Sequence, residues 1–196
     1  MDGTITSTLK LIYESFNYIG EKYALRTFKP EEIVKLFGPP EEGAIAKILT
    51  NGQSLEQAME DYLEYYRSNH AAMAQACDGI EEILDFLKKQ NRLVALFTGK
   101  GASTTKISLD ELRLRKYFDY IVTGNDVTNF KPSGEGIIKI LQRFSLKPSE
   151  ALMIGDTTSD IRAAREAGVQ VASVLWESYS IDSVAALKPD YLFNTH

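Results

Sequence analysis

Several residue types on which large classes of proteins depend are scarce in this sequence. The 196-residue chain contains one cysteine and two histidines. The single cysteine, Cys77, cannot form an internal disulfide, and no cluster of cysteine and histidine has zinc-site spacing. With only His70 and His196 available, catalysis by a Ser–His or Cys–His pair is disfavoured. Carboxylates, hydroxyls and lysines are therefore the residues to search for chemistry.

Long apolar runs and an excess of basic charge are also missing. No apolar run reaches the roughly 18 to 20 residues that a membrane-spanning helix needs, and the first residues do not form a secretory signal. The net charge is -5 and the 22 basic residues are scattered, which disfavours a nucleic-acid-binding surface. Hydrophobic residues make up 44% of the chain, as in ordinary globular proteins. We therefore expect a cytoplasmic protein that binds neither nucleic acid nor membrane.

The most informative stretch is residues 151–160, which read ALMIGDTTSD. A short apolar run ends at Gly155, and two carboxylates four residues apart follow it where a helix is predicted to begin. This pattern places Asp156 at the carboxyl end of a buried strand and Asp160 one turn into the helix, on the same side. Paired carboxylates at such a position suit Mg²⁺. A strand end followed by a helix-capping aspartate is the alternative, and this stretch alone does not decide between them.

The first third of the chain is predicted to be helical. Residues 8–76 show apolar residues three and four apart and contain no convincing strand. Pro30, followed by two glutamates, and Ser54, followed by Gln57, have the features of helix N-termini. We expect four or five helices that form a small lobe over residues 8–76, and a separate core built from residues 1–7 and 77–196.

The remainder of the chain alternates between helices and strands. Apolar runs predict strands over residues 93–97, 120–122, 151–155, 169–175 and 191–193. Helices are predicted between them, over residues 102–114, 133–144, 158–167 and 181–187. Strands that alternate with helices of this length form a parallel sheet with right-handed crossovers. The predicted fold class is therefore α/β, with a parallel-sheet core and an inserted all-helical lobe.

Polar side chains from four separate segments are expected at one edge of this sheet. They are Asp2, Thr98, Lys131 and the pair Asp156 and Asp160. Each segment alone is a weak signal, because Asp-Gly, Thr-Gly and Lys-Pro are common in turns and loops. Their order and their positions at strand ends are harder to obtain by chance. A hydroxyl, exposed backbone N–H groups, a lysine and paired carboxylates together make a site for a phosphate group.

These segments resemble the four motifs of the haloacid dehalogenase-like hydrolases. They read Asp2-Gly3-Thr4, Phe97-Thr98-Gly99-Lys100, Lys131-Pro132 and Gly155-Asp156 with Asp160. The resemblance covers essentially the whole chain and is greatest to the phosphoglycolate phosphatase and β-phosphoglucomutase branch. It implies a Rossmann-like core with a helical cap, and an Mg²⁺-dependent phosphatase that hydrolyses a small phosphorylated metabolite through an aspartyl-phosphate. The sequence does not decide between a monomer and a homodimer.

The resemblance also implies roles for individual residues. Asp2 would protonate the leaving group and then activate water, and its backbone carbonyl would bind the metal. Asp156 and Asp160 would bind Mg²⁺, which neutralises phosphoryl charge. The catalytic residues would be Asp2, Thr98 and Lys131, and the phosphoryl group would contact Gly3, Thr98, Gly99 and Lys131. The helical cap would close over the site and exclude water.

The sequence departs from the family at its first motif. The family motif reads Asp-x-Asp-Gly-Thr, so the attacking aspartate would lie one residue before Met1. The apolar strand that carries it would lie between the predicted strands 93–97 and 151–155, and its loss would leave a slot about 9 to 10 Å wide. Three explanations are open: a truncated gene start, a chain that begins here with a rearranged or otherwise filled sheet, or attack by Asp2 in a shifted register.

Other functions are open as well. A sugar phosphomutase or a halide-removing hydrolase could share this scaffold, but dehalogenation needs no metal, so the acidic pair favours phosphate chemistry. From a different class, the chain could be a catalytically inactive regulatory or binding relative. A Rossmann-type nucleotide binder is disfavoured because no strand leads into G-x-G-x-x-G.

Overall fold

The computed structural model describes residues 1–178 and 180–194, and four helices occupy its first third. Their bounds are Leu9–Ala24 (α1), Pro30–Val34 (α2), Glu41–Ile45 (α3) and Leu55–Met73 (α4). The apolar faces of these helices form one cluster in which Leu11, Ile19, Ile33, Tyr62 and Tyr66 are fully buried. None of the helices in the described ranges is long and apolar enough to span a bilayer. The predicted helical character of this region is confirmed, whereas the predicted domain boundaries stay a prediction.

A two-stranded antiparallel ladder lies where the chain enters and leaves the helical region. Strand β1 (Thr6–Ser7) pairs with β2 (Gln75–Ala76), with Thr6 opposite Ala76. The expectation that residues 8–76 contain no strand is therefore wrong at its last two residues. Two residues are too few to produce a detectable alternation of apolar and polar side chains.

The rest of the described chain forms parallel strands and helices, with boundaries close to those predicted. Strand β3 (Ala95–Phe97) pairs with β4 (Tyr120–Val122), and β5 (Leu152–Gly155) pairs with β6 (Gln170–Val174), which pairs with β7 (Tyr191–Phe193). The helices are Ile80–Lys89 (α5), Ala102–Glu111 (α6), Glu135–Phe144 (α7), Thr158–Glu166 (α8) and Ile181–Ala186 (α9).

Helices cover both faces of strand β3. Leu96 packs in a cluster with residues of α5 and α6, whereas Phe97 packs on the opposite face in a cluster with residues of α7 and α8. Successive side chains of a strand point to opposite faces, so this division follows from the alternation. The second cluster also contains Val171 of β6, so both groups of strands share one apolar core.

The parallel strands form two separate sheets rather than one. Among the described residues, β3 is paired only with β4, and β5 is paired only with β6. Leu152 and Ile154 of β5 remain 49% and 46% exposed, although they are large apolar residues of a core strand. The interruption agrees with the slot expected between the strands at residues 93–97 and 151–155.

Candidate active site

A cavity of about 420 Å³ lies between the helical region and the carboxyl ends of β3 and β5. All but one of the residues predicted for the site line this cavity: Asp2, Thr98, Gly99, Lys131, Asp156 and Asp160. The exception is Gly3. These residues lie far apart in the sequence and meet because parallel strands end at a common edge.

Lys131 connects the ends of the two sheets. Its ammonium group donates hydrogen bonds to the Phe97 carbonyl oxygen (3.1 Å), at the end of β3, and to Oδ1 of Asp160 (2.7 Å), in the first turn of α8. The second oxygen of Asp160 accepts a hydrogen bond from the hydroxyl of Thr157 (2.7 Å). Asp156, which follows β5, accepts a hydrogen bond from the hydroxyl of Thr4 (2.7 Å).

The two aspartates are in unequal electrostatic environments, although each is only 4% exposed. Burial, together with the neighbouring Asp160 carboxylate, raises the pKa of Asp156 to about 6. Burial acts in the same direction on Asp160, but the Lys131 ammonium and its hydrogen bond outweigh it and lower the pKa of Asp160. At neutral pH the site therefore holds two buried carboxylates, and the Lys131 ammonium is hydrogen-bonded to only one of them, Asp160.

The residues present fit a hard divalent cation. A cation that bound both carboxylates would offset the repulsion that raises the pKa of Asp156. In the described part of the chain, no group of three or more acidic, histidine or cysteine side chains is placed to hold a metal ion. Water, backbone and phosphate oxygens would therefore have to complete the coordination, as is usual for Mg²⁺.

Asp2 lies beside a buried lysine. Its Oδ1 accepts a hydrogen bond from the Thr8 hydroxyl and lies 3.4 Å from Nζ of Lys100. Burial alone would raise the pKa of Asp2, but Lys100, the Met1 amino group and the Thr8 hydrogen bond together lower it. The Lys100 side chain is 3% exposed, and its ammonium lies 3.9 Å from Oε1 of Glu41 and 4.6 Å from the ring centre of Tyr66. Burial opposes its charge, yet these neighbours raise the pKa of Lys100.

Thr98 is held with its hydroxyl at the cavity. Its backbone N–H donates to the Val122 carbonyl (3.0 Å), and its hydroxyl oxygen accepts from the Lys100 N–H (3.2 Å). The hydroxyl hydrogen has no acceptor among the described residues and can be donated to a ligand. Gly99 follows at the cavity wall.

Gly3 packs against Asp156 and does not line the cavity. Its φ is +78°, and a Cβ at this position would lie 2.3 Å from Oδ2 of Asp156. Only glycine can therefore occupy this close approach. The Gly3 N–H donates to the Thr6 carbonyl (2.9 Å), so the predicted phosphate contact of Gly3 stays a prediction.

The α-amino group of Met1 is buried inside the site. Burial and the charge of Lys131 lower its pKa, whereas Asp2, Asp156 and Asp160 act in the opposite direction. The Met1 side chain packs with Leu96 and the residues of α5. A residue joined to this amino group would begin among the side chains that line the cavity.

Sequence reasoning missed contacts that join the helical region to the core. Glu41 of α3 accepts hydrogen bonds from the Gly101 N–H (2.7 Å) and the Thr104 hydroxyl (2.6 Å), at the start of α6. Thr4 and Thr157, which bind the two aspartates, were also not predicted. The position of Thr4 directly after Asp2-Gly3 was a usable signal, but nothing near Glu41 in the sequence indicates partners sixty residues away.

Comparison with known proteins identifies the family. The model of the haloacid dehalogenase-like hydrolases matches residues 1–174. The chain belongs to this family. The relatives include pyrophosphatase PpaX of Bacillus thuringiensis (strain Al Hakam), which is 31% identical over 194 residues, covering 99% of this chain and 89% of the relative.

Solved structures show the same fold. A predicted phosphoglycolate phosphatase from Haemophilus somnus superposes with a TM-score of 0.86 at 22% identity and covers all of this chain and 91% of the other. A proposed β-phosphoglucomutase from Thermotoga maritima superposes with a TM-score of 0.75 at 25% identity, covering 98% and 90%. The predicted α/β fold with a helical cap is confirmed, and the chain is a hydrolase of this family.

Proposed function

We propose that the chain is an Mg²⁺-dependent phosphatase that hydrolyses a small phosphomonoester through an aspartyl-phosphate. The observation that carries the proposal is that Asp2, Thr98, Lys131, Asp156 and Asp160 all line one cavity. The names of the relatives support it, because a pyrophosphatase, a phosphoglycolate phosphatase and a phosphoglucomutase all act on phosphorylated compounds.

The phosphoryl group would be held by side chains from the ends of both sheets. Thr98 would donate its hydroxyl hydrogen to one phosphoryl oxygen, and Lys131 would contribute its positive charge. Asp156 and Asp160 would hold Mg²⁺, which when bound neutralises phosphoryl charge and orients the group.

Asp2 would act first as the general acid and then as the general base. In the first step a carboxylate oxygen attacks phosphorus, the bond from phosphorus to the leaving oxygen breaks, and protonated Asp2 gives its proton to that oxygen. In the second step Asp2 takes a proton from water, the water oxygen attacks phosphorus, and phosphate leaves as the carboxylate is restored. Lys100 favours the ionised, basic form of Asp2, and the negative charge of a bound phosphoryl group would shift Asp2 toward the protonated form.

The attacking carboxylate would come from a residue joined directly to Met1. The buried position of the Met1 amino group beside Lys131, Asp156 and Asp160 supports this placement. The edges of β3 and β5 that have no partner strand among the described residues support it as well, because an apolar strand leading into Met1 could pair with both. Such a strand would also cover Leu152 and Ile154.

Hydrolysis of p-nitrophenyl phosphate tests the proposal. The assay compares residues 1–196, the same chain extended upstream by an apolar strand that ends in aspartate, and a matched extension that ends in asparagine, each with and without Mg²⁺. We expect turnover only for the aspartate extension and only with Mg²⁺. Turnover by residues 1–196 at ordinary enzyme rates would overturn the assignment of the attacking residue, and no turnover by any form would favour a non-catalytic role.

A further inference from the structure

We infer that the substrate carries a single anionic group, its phosphate, and that its leaving group is uncharged and largely apolar. This inference rests on the proposed function, because it assigns the phosphate to the end of the cavity that holds Thr98, Lys131 and the two aspartates. The leaving group must then occupy the other end, which is formed by helices α1 to α3 and the segment before α3.

That end of the cavity has an apolar wall. The side chains that line it and remain partly exposed are Leu9, Val34, Leu36, Phe37 and Pro39. Ile12, Phe16 and Tyr62 lie behind them and are almost fully buried. If these residues cover about 80 Å² of apolar ligand surface, the gain in affinity is about thirtyfold.

The lysines at the cavity are already engaged. Lys131 is bound to Asp160 at 2.7 Å and is assigned to the phosphoryl group. Lys100 lies 3.4 Å from Asp2, and its side chain is only 3% exposed. In the described residues, the cavity lining contains no other lysine and no arginine.

A second anionic group at the helical end would therefore find no free lysine or arginine among the described lining residues. At the helical end it would meet the apolar wall and the carboxylate of Glu41, which is itself in the lining. Removing a charged group from water without a compensating partner is costly. This distinguishes the chain from relatives named for pyrophosphate and phosphoglycolate, since both of those compounds carry a second anionic group.

Binding of phosphonates tests the inference without requiring turnover. Calorimetry on residues 1–196 with Mg²⁺ would compare orthophosphate, 2-phenylethylphosphonate and phosphonoacetate, two phosphonates that differ in carrying a phenyl or a carboxylate group. We expect 2-phenylethylphosphonate to bind at least about tenfold more tightly than phosphonoacetate. If phosphonoacetate binds more tightly than 2-phenylethylphosphonate and orthophosphate also binds, the inference is overturned and the proposed function is left intact. Absence of binding by orthophosphate and both phosphonates would instead contradict the proposed phosphate site.

Placing a positive charge on the apolar wall of the cavity tests whether the leaving group lies there. Val34→Lys is expected to improve phosphonoacetate binding about tenfold relative to 2-phenylethylphosphonate, because it supplies the missing cation. Val34→Met, which has similar length and no charge, should keep the preference of the unmodified chain. Lys35→Met removes a neighbouring exposed lysine that does not line the cavity, and it should also change nothing. If Val34→Lys and Val34→Met have the same preference, the leaving group does not lie on this wall.

Discussion

Replacing Asp156 by asparagine should stabilise the protein when no divalent cation is present. Burial and the neighbouring Asp160 raise the pKa of Asp156 from 3.8 to about 6, so ionising this side chain in the folded state is unfavourable. That difference corresponds to about 3 kcal/mol of folding free energy. Asparagine removes the charge and can still accept the hydrogen bond from Thr4, but its buried NH₂ group needs an acceptor. We therefore expect a gain of about 1 to 3 kcal/mol at neutral pH.

The pH dependence of this gain in stability follows from the upward shift of the Asp156 pKa. Below pH 3.8 Asp156 is protonated in both the folded and the unfolded chain, so its ionisation costs nothing. As the pH rises from 3.8 to about 6, the unfolded chain loses the proton first and the folded state loses stability. Above about 6 the cost is complete. The ionisation cost that Asp156→Asn removes is therefore complete at neutral pH and only about 1 kcal/mol near pH 4.5, so the substitution should be about 2 kcal/mol less favourable at the lower pH.

Urea unfolding in a chelator at both pH values measures the effect. Asp182→Asn, which replaces an exposed aspartate, should change the free energy of unfolding by less than about 0.5 kcal/mol at either pH. Adding Mg²⁺ should raise the free energy of unfolding of the unmodified chain by more than it raises that of the Asp156→Asn variant. A destabilisation by Asp156→Asn at neutral pH in the chelator, or an effect that does not depend on pH, would refute this account of the acidic pair.

Two further substitutions test how the site is built. Glu41→Gln should destabilise the protein by about 2 kcal/mol in urea unfolding, because the hydrogen bonds from Gly101 and Thr104 lose a charged acceptor. Glu42→Gln on the same helix should cost little stability, since one Glu42 oxygen is buried without a hydrogen-bond partner in the described structure. Equal losses of stability in the two variants would contradict the role of Glu41. Gly3→Ala should cost at least about 1 kcal/mol more than Gly52→Ala. Both glycines have positive φ, but only the new Cβ at Gly3 meets a carboxylate, at 2.3 Å, so equal costs would show that Asp156 moves aside freely.

The features that were predicted from the sequence have local causes. Each core strand is a short apolar run that ends in turn residues, and residues such as Thr98 and Asp156 follow these runs directly. Because parallel strands bring their carboxyl ends to one edge, their approximate meeting point follows from the order of elements. Asp2 and Lys131 were expected at this edge from the order of the segments, whereas their individual roles depended on the resemblance to the family.

The features that were not predicted depend on contacts between distant segments. The hydrogen bonds of Glu41 to α6 join residues about sixty positions apart, and no periodic pattern encodes such a pairing. Lys100 follows a strand like any loop lysine, and only packing of the helical region places it beside Asp2 and the Tyr66 ring. The β1–β2 ladder is too short to leave a pattern in the sequence.

Binding of orthophosphate to residues 1–196, with and without Mg²⁺, is the most direct test of the proposed site. It needs only the residues present and does not depend on the attacking carboxylate. We predict that one phosphate binds per chain and that it binds more tightly with Mg²⁺ than without it. In the Asp156→Asn variant, phosphate binding should no longer depend on Mg²⁺. Calorimetry that shows equal binding with and without Mg²⁺, or no binding at all, would contradict the claim that these residues form one magnesium and phosphate site.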